Sequence, residues 1–272
     1  MAISNFIPTL WSAAILENFR ASQAIIPTLN RQYEGEFGSG NTVKITGITA
    51  PAIQDYSVSR TLTIDALSDS TQSLVIDQEK AFSFKVDDVD RVQAAGSFEP
   101  VTADAGRALA EDAEASIIDL MKTNGSSAGT TAITTPAEAF AAVVAIRQAL
   151  GKAKVPASNR YLAVSPEFAS LLLAEGSKLT SANTAGSDGE LRNGVLGNLL
   201  GFTVIEHGLL THTSDRPAAI GYHGPSVAYV GQIAKTEAGR MELAFADYIR
   251  SLNVYGSKVL RADAVQTFLP AA

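Results

Sequence analysis

The chain contains 272 residues, of which 46% are hydrophobic and 18% are charged, a balance typical of a globular protein with one large or two modest cores. Its net charge of −7 argues against a dedicated nucleic-acid-binding protein, which would present a clustered basic face. The absence of cysteine excludes disulfides, thiolate catalysis and cysteine-ligated metal sites.

The N-terminal region predicts a short amphipathic helix. It lacks the basic start and apolar block of a signal peptide, and no apolar run in the chain approaches the ~18–20 residues that a membrane span needs. In residues 7–24, Thr9 is a candidate N-cap, and Trp11 and Phe19 share one face of the predicted helix. Residues 25–27, ending in proline, would terminate it.

Residues 42–87 change to a period of two, which predicts strands with one wet face. Residues 50–73 in the middle are rich in Ser, Thr and Asp, so the strands are expected to form a long β excursion. A two-stranded ribbon alone is marginal in water, so we expect a neighbouring subunit to support it. The alternating apolar residues are Val43, Ile45, Val58, Leu62, Ile64, Leu74, Ile76, Phe82, Phe84 and Val86.

A short helix over residues 87–95 and a long helix over residues 97–124 come next. At ~1.5 Å per residue the second would be a rod of ~36 Å. Its polar residues, including Glu111 and Glu114, are predicted to face water. Its apolar stripe consists of Val101, Ala105, Ala108, Leu109, Ala113, Ile117, Leu120 and Met121.

The second half of the chain alternates helices and strands, so the whole is predicted to be an α+β protein. Residues 125–135 and 176–194 are expected to be loops. Helices are predicted at 136–150, 166–176 (capped by Ser165) and 224–230, and strands at 160–164, 202–206, 218–222, 241–245 and 254–268. The glycines at 194, 197 and 201 predict a turn before a strand.

No catalytic signature stands out: the chain has no G-x-S-x-G, no H-E-x-x-H and no Walker loop. His207, His212 and His223 are interpreted as surface or satisfied histidines, with a metal or acid–base site as the alternative. The carboxylates of residues 87–90 are interpreted as a helix cap, with metal binding as the alternative. We therefore predict a protein that is not an enzyme, with no catalytic, cofactor-binding or metal residue and no cofactor.

Several phrases, in their order along the chain, resemble a tailed-bacteriophage major capsid protein of the HK97 fold. They are IPTLWSAAILENF at residues 7–19, RYLAVSPEFASLLL at 160–173, NGVLGNLLGFTVIEH at 193–207 and VYGSKVLRADAVQTF at 254–268. The glycine-spaced phrase at 194–204 and the terminal VYGSKV are the most telling. The resemblance covers nearly the whole chain, through a glycine-rich approach to a long β excursion and then a long helix.

The resemblance implies a fold with an N-arm, an extended β loop, a peripheral domain with a long spine helix, and an axial domain. The N-arm would be residues 1–34 and the extended loop 35–86. The peripheral domain would comprise 87–129 and 232–255, with its spine helix at 98–124. The axial domain would comprise 130–231 and 256–272, with residues 176–194 near the symmetry axis of each capsomer.

The function implied is a coat protein that self-assembles into pentamers and hexamers of an icosahedral head in the host cytoplasm and becomes part of the virion. It would enclose double-stranded DNA without sequence-specific binding, and its acidity would keep free subunits soluble. Its expected partners are further copies of itself, a portal protein, a separate scaffolding protein and a decoration protein, with no membrane. Deleting residues 53–70 is expected to leave a folded subunit that builds no shells.

Two features depart from some relatives. Some relatives carry a scaffolding domain before the N-arm, whereas the predicted N-arm of this sequence starts at residue 1. The scaffold is therefore expected to be a separate protein. No lysine lies between Gly47 and Glu79, so a covalent cross-link from the loop is not expected. The alternatives are an encapsulin-type nanocompartment shell, another virion protein such as a tail tube, and an uncharacterised enzyme.

Overall fold

The computed structural model describes residues 23–34, 42–48, 53, 69–87, 99–174, 197–210, 216–241 and 244–270. The described chain contains three α-helices and three separate β-sheets. The predicted helices at 7–24 and 87–95, the loop at 176–194, and His212 lie outside the described residues.

Three helices begin and end close to their predicted bounds. Helix α1 spans Glu99–Asn124, α2 spans Pro136–Lys152 and α3 spans Pro166–Leu173. Thr135 forms a capping box with Glu138 at the start of α2, and the Ser165 hydroxyl accepts the Phe168 N–H at the start of α3. The predicted cap at Ser165 is therefore confirmed, whereas the capping box at Thr135 was not predicted.

A six-stranded mixed sheet forms the centre of one half of the molecule. Its strands are Ser126–Gly129 (β4), Arg160–Val164 (β5), Asn198–Leu199 (β6), Phe202–Glu206 (β7), Ala219–His223 (β8) and Val265–Phe268 (β11). They lie in the order β4-β11-β8-β5-β7-β6. One core, which includes residues of α2 and α3, contains Ile146, Phe168 and Phe202. A second contains the C-terminal half of α1 and the N-terminal segment, with Ile26, Ile117 and Tyr222.

A three-stranded antiparallel sheet lies against α1. Its strands are Gln78–Asp87 (β3), Val227–Arg240 (β9) and Ala246–Val259 (β10), in the order β3-β10-β9. The Tyr255 hydroxyl on β10 donates to Asp112 Oδ2 of α1 at 2.7 Å, and Lys80 Nζ on β3 lies 3.4 Å from Asp112 Oδ1. Phe82 packs against Leu109. The predicted alternation at Phe82, Phe84 and Val86 is confirmed.

The remaining two strands, Thr42–Ile48 (β1) and Asp69–Val75 (β2), pair only with each other, as an antiparallel ribbon. At its base, Val43 and Leu74 pack against Ala228 and Val230 of β9. Lys258 Nζ also donates to the Ser73 carbonyl at 2.6 Å. The predicted outgoing and returning strands are confirmed at 42–48 and 69–75, and their base is supported by the same chain.

Three predictions about local structure are wrong. Residues 126–129, expected to be a flexible loop, form edge strand β4, which pairs in parallel with β11. Residues 224–230, expected to be a helix, form one 3-10 turn at Gly224–Ser226 followed by strand β9, because valine and tyrosine side chains there fill a pleated surface. Met241 and Phe245, expected in a strand, lie in the connection between β9 and β10.

The expected turn before β7 is confirmed. Leu200 and Gly201 form a two-residue hairpin between Asn198 and Thr203, and both have positive φ, 51° and 85°. A tight hairpin of this kind requires φ above zero at both central residues, which glycine adopts without strain. The leucine at the first of these positions is an exception to the usual preference for asparagine, aspartate or glycine.

The close packing of α1 leads to a first prediction. Ala113 and Ile117 have no exposed surface. We expect Ile117→Ala to destabilise the subunit by ~2–5 kcal/mol and Ala113→Leu to destabilise it by ~1–3 kcal/mol through overpacking. Exposed Glu111→Gln, the control, should leave thermal melting of the free subunit almost unchanged. Equal losses for Glu111→Gln and Ile117→Ala would place the wrong face of α1 in the core.

Candidate functional site

The most distinctive polar site in the described chain is a buried carboxylate on the long helix. Glu114 was predicted to face water, and this prediction is wrong, because the residue is only 1% exposed. Its Oε1 accepts hydrogen bonds from the backbone N–H groups of Ala24 at 2.6 Å and Ile25 at 2.7 Å. Glu114 lies 90 residues after Ala24, so local spacing in the sequence does not reveal that this side chain of α1 holds the N-terminal segment.

The second oxygen of Glu114 contacts a histidine from the other half of the chain. Its Oε2 is paired with Nε2 of His207, whose side chain is 11% exposed. The other ring nitrogen, Nδ1, accepts the Leu209 N–H at 3.2 Å. This contact favours the neutral ring that carries its proton on Nε2 and donates it to the carboxylate. Both ring nitrogens of His207 therefore have partners within the subunit.

The hydrogen bonds decide the charge state of the carboxylate. Burial alone raises the pKa of Glu114, but the hydrogen bonds from His207, Ile25 and Ala24 outweigh burial and leave that pKa below its ordinary value. Glu114 is therefore ionised at neutral pH, with its oxygens occupied by donors rather than by water. A buried carboxylate with this set of donors holds several segments in one geometry.

The site, which we call the Glu114 junction, joins three parts of the subunit: residues 24–26, helix α1 and the segment that follows β7. Further along the N-terminal segment, the Thr28 hydroxyl lies 2.7 Å from that of Tyr222. Asn30 then forms a parallel bridge with Ala228 at the start of β9. The junction therefore fixes the point at which the preceding residues join the body of the subunit.

The geometry is that of a structural joint. The carboxylate is enclosed, and the atoms that surround it are donors from the same chain. His223 lies apart from it, with Nδ1 3.3 Å from the Ser226 hydroxyl. Within the part of the chain that the structure describes, no group of three or more histidine, cysteine or acidic side chains is arranged to hold a metal ion. Nor is any described helix long and apolar enough to cross a membrane.

One signal in the sequence does place Glu114 inside. It lies four residues after Ala110 and three before Ile117, both of which are buried, so it falls on the apolar stripe of α1. If residues are classified only as apolar or charged, Glu114 is assigned incorrectly to the solvent-exposed face of α1. A carboxylate on such a stripe is better interpreted as a buried group that needs a partner.

The outer face of the three-stranded sheet, away from α1, is a candidate contact surface. Arg250 forms an ion pair with Glu237 and lies 5.5 Å from the centre of the Tyr248 ring. A shallow depression of about 720 Å³ is lined partly by Lys85, Tyr248 and Arg250. Nearby Phe245 is 79% exposed, which is unusual for so large an apolar side chain.

Comparison with known proteins agrees with this architecture. A family model described as phage capsid protein matches residues 70–267. A solved structure from Mycobacterium phage Che8 is 41% identical and covers 90% of this chain and 90% of that chain, with a TM-score of 0.82. A search of curated proteins found no match.

More distant structures share the fold. The capsid structure of Cyanophage P-SCSP1u is 15% identical, covers 92% of this chain and 89% of that chain, and has a TM-score of 0.74. The virus-like particle from Pyrococcus furiosus is 14% identical, covers 94% and 96%, and has a TM-score of 0.61. Because the family model spans most of the chain and the first relative is similar over nearly its full length, this chain belongs to the phage capsid protein family and is a structural protein with an HK97-like fold.

Proposed function

We propose that this major capsid protein assembles into pentamers and hexamers that close into an icosahedral head around double-stranded DNA. The observation that carries the proposal is the β1–β2 ribbon. Its strands stay paired as far as Ile48 and Asp69, and Ile53, the next described residue, is fully exposed. An isolated ribbon buries little surface within its own subunit, so its paired backbone is suited to contact a neighbour.

A capsid subunit makes many contacts that are individually weak and jointly strong once the shell closes. The ribbon, the N-terminal segment anchored at the Glu114 junction and the outer face of the three-stranded sheet would provide three such contacts. We assign residues 1–34 to an N-arm, 35–86 to an extended loop, 87–129 with 232–255 to a peripheral domain, and 130–231 with 256–272 to an axial domain.

The proposed partners are a separate scaffolding protein that guides assembly, a portal protein at one vertex and a decoration protein on the outer surface. Assembly would take place in the host cytoplasm, and the protein would remain in the virion. The enclosed DNA would meet the inner wall without sequence-specific contacts.

Cryo-electron microscopy of the chain expressed with its scaffold tests this proposal. We expect closed shells in which this one chain builds both the pentamers at the vertices and the hexamers between them. Tubes or stacked rings would instead indicate a tail component, and shells filled with a protein cargo would indicate a nanocompartment. Either outcome would contradict the proposed function.

A further inference from the structure

The described chain carries a cluster of positive side chains where helix α2 ends and strand β5 begins. Burial and then the neighbouring charge of Arg147 lower the pKa of Arg160. Burial and then the charges of Arg160 and Arg261 lower the pKa of His223. Arg160 and His223 also lie directly opposite each other in the pairing of β5 with β8, so they are close together in space. The basic cluster consists of Arg147, Lys152, Lys154, Arg160, His223 and Arg261.

Two of these residues have a structural role at the end of α2. Arg160 donates to the carbonyls of Val155 and Pro156, and Arg261 donates to the carbonyl of Ala153. Side chains that satisfy the last carbonyls of a helix, where its dipole is negative, stabilise the fold. The position of Arg261 on Ala153 also brings it beside the lysines that flank this residue.

The helix dipole also favours Lys152 in the last turn of α2, whereas Arg147 lies more than a turn before the end of the helix and gains little from it. Arg147, Lys152 and Lys154 are exposed, and within the described residues none of them forms an ion pair with a carboxylate. Among the residues that the structure describes, the acidic partner in the cluster is Asp263, whose Oδ2 lies 3.3 Å from Arg261. A protein with a net charge of −7 thus keeps a local excess of positive charge.

The backbone at Lys154 is strained. Its φ is +55°, in the left-handed region, immediately after α2. Glycine is the residue that usually ends a helix in this conformation, because a side chain there adds strain. Glycine at position 154 would therefore be free of this strain.

We propose that the basic cluster lies on the inner wall of the shell and contacts the phosphates of the enclosed DNA. The proposal rests on the function proposed above and adds which surface of the subunit faces the genome. The charges match a phosphodiester backbone, which carries one negative charge per ~1.7 Å of duplex. Protein interfaces have an apolar or aromatic centre, whereas the single exposed large apolar side chain on α2 is Val144.

The first test measures the affinity of the free subunit for a short DNA duplex as a function of salt. The variant Arg147→Gln/Lys152→Gln/Lys154→Gln should weaken binding roughly tenfold or more and make the slope of log affinity against log salt shallower by about 2.7, since each lost phosphate contact removes about 0.9. The matched control removes three positive charges elsewhere, at Lys85, Arg107 and Arg240. An equal loss of DNA affinity in the control would mean that only the overall charge matters, and it would overturn the proposal.

A single variant separates this role from stability. Lys154→Gly removes both the charge and the left-handed strain, so it should raise the melting temperature of the subunit while weakening DNA binding. Unchanged DNA binding would remove Lys154 from the proposed surface.

The second test determines which side of the shell the cluster faces. Because the chain has no cysteine, Lys152→Cys introduces one thiol. In closed shells a bulky polymer-linked maleimide should not reach it, whereas dissociated subunits should react fully. Labelling of intact shells would overturn the proposal. A triple variant that binds DNA normally but builds no shells would also overturn it, because the cluster would then contact an acidic face of a second copy of the chain instead of DNA. If the wild-type protein built no shells but its DNA binding still depended on the cluster, the result would contradict the proposed assembly into a head and support the DNA-binding role of the cluster.

Discussion

Glu114→Ala is expected to destabilise the subunit by about 3–5 kcal/mol, because it leaves several buried donors unsatisfied at a cost of about 1–3 kcal/mol each. The change leaves the N–H groups of Ala24 and Ile25 and the His207 ring without their acceptor in a site closed to water. Equilibrium denaturation of the free subunit measures the loss. Exposed Glu111 lies on the same helix and provides the control as Glu111→Gln.

The effect should also depend on pH. The pKa of Glu114 is lower in the folded subunit than its ordinary value of 4.5, so the carboxylate stabilises the fold above that pH. This contribution is lost as the pH falls through the lowered pKa of the folded state. Wild type should therefore lose stability in acid more steeply than Glu114→Gln. Parallel stability curves for the two proteins, or a Glu114→Ala subunit as stable as Glu111→Gln, would contradict the Glu114 junction.

Removing residues 53–68 and joining the ends by a short turn is expected to abolish shell formation while leaving the subunit folded. The deletion stops before Asp69 because Asp69 and Ser70 pair with Ile48 and Gly47. The ribbon base, with its buried Val43 and Leu74, is retained. The folding cost of changing loop length is small, since closure entropy varies only slowly with length. Circular dichroism and electron microscopy of the same preparation measure both effects.

The control for this deletion replaces Leu74 by alanine. Leu74 has no exposed surface and packs against β9, so its truncation should destabilise the subunit by ~2–5 kcal/mol without removing residues 53–68. The two variants therefore separate loss of contacts between subunits from loss of the core. Insoluble protein from the deletion would mean that the removed residues belong to the subunit's own core.

Much of the fold follows from local patterns in the sequence. The bounds of α1, α2 and α3 are predicted because start signals and apolar spacing agree, as at Pro136 and Ser165. Strands with one wet face, such as β3, are equally clear. The order of elements together with a few glycine-spaced phrases predicts the capsid fold, which the comparisons confirm.

The features that the sequence hides depend on distant partners. Strand β4 consists of small polar residues that resemble a loop, and only its pairing with β11 makes it a strand. Glu114 and His207 are 93 residues apart, so no spacing rule brings them together. The position of Glu114 on an apolar stripe is explained by the N–H groups of Ala24 and Ile25, which donate hydrogen bonds to its carboxylate. The basic cluster was likewise hidden by the net charge, because its members come from three separate stretches of chain.

Sedimentation velocity of the intact chain at high concentration, with and without its scaffold, tests the central claim most directly. We expect a slow boundary of free subunits or capsomers and, once assembly starts, a fast boundary of closed shells of uniform size. A protein that remains a compact monomer under every condition would contradict assembly into a head.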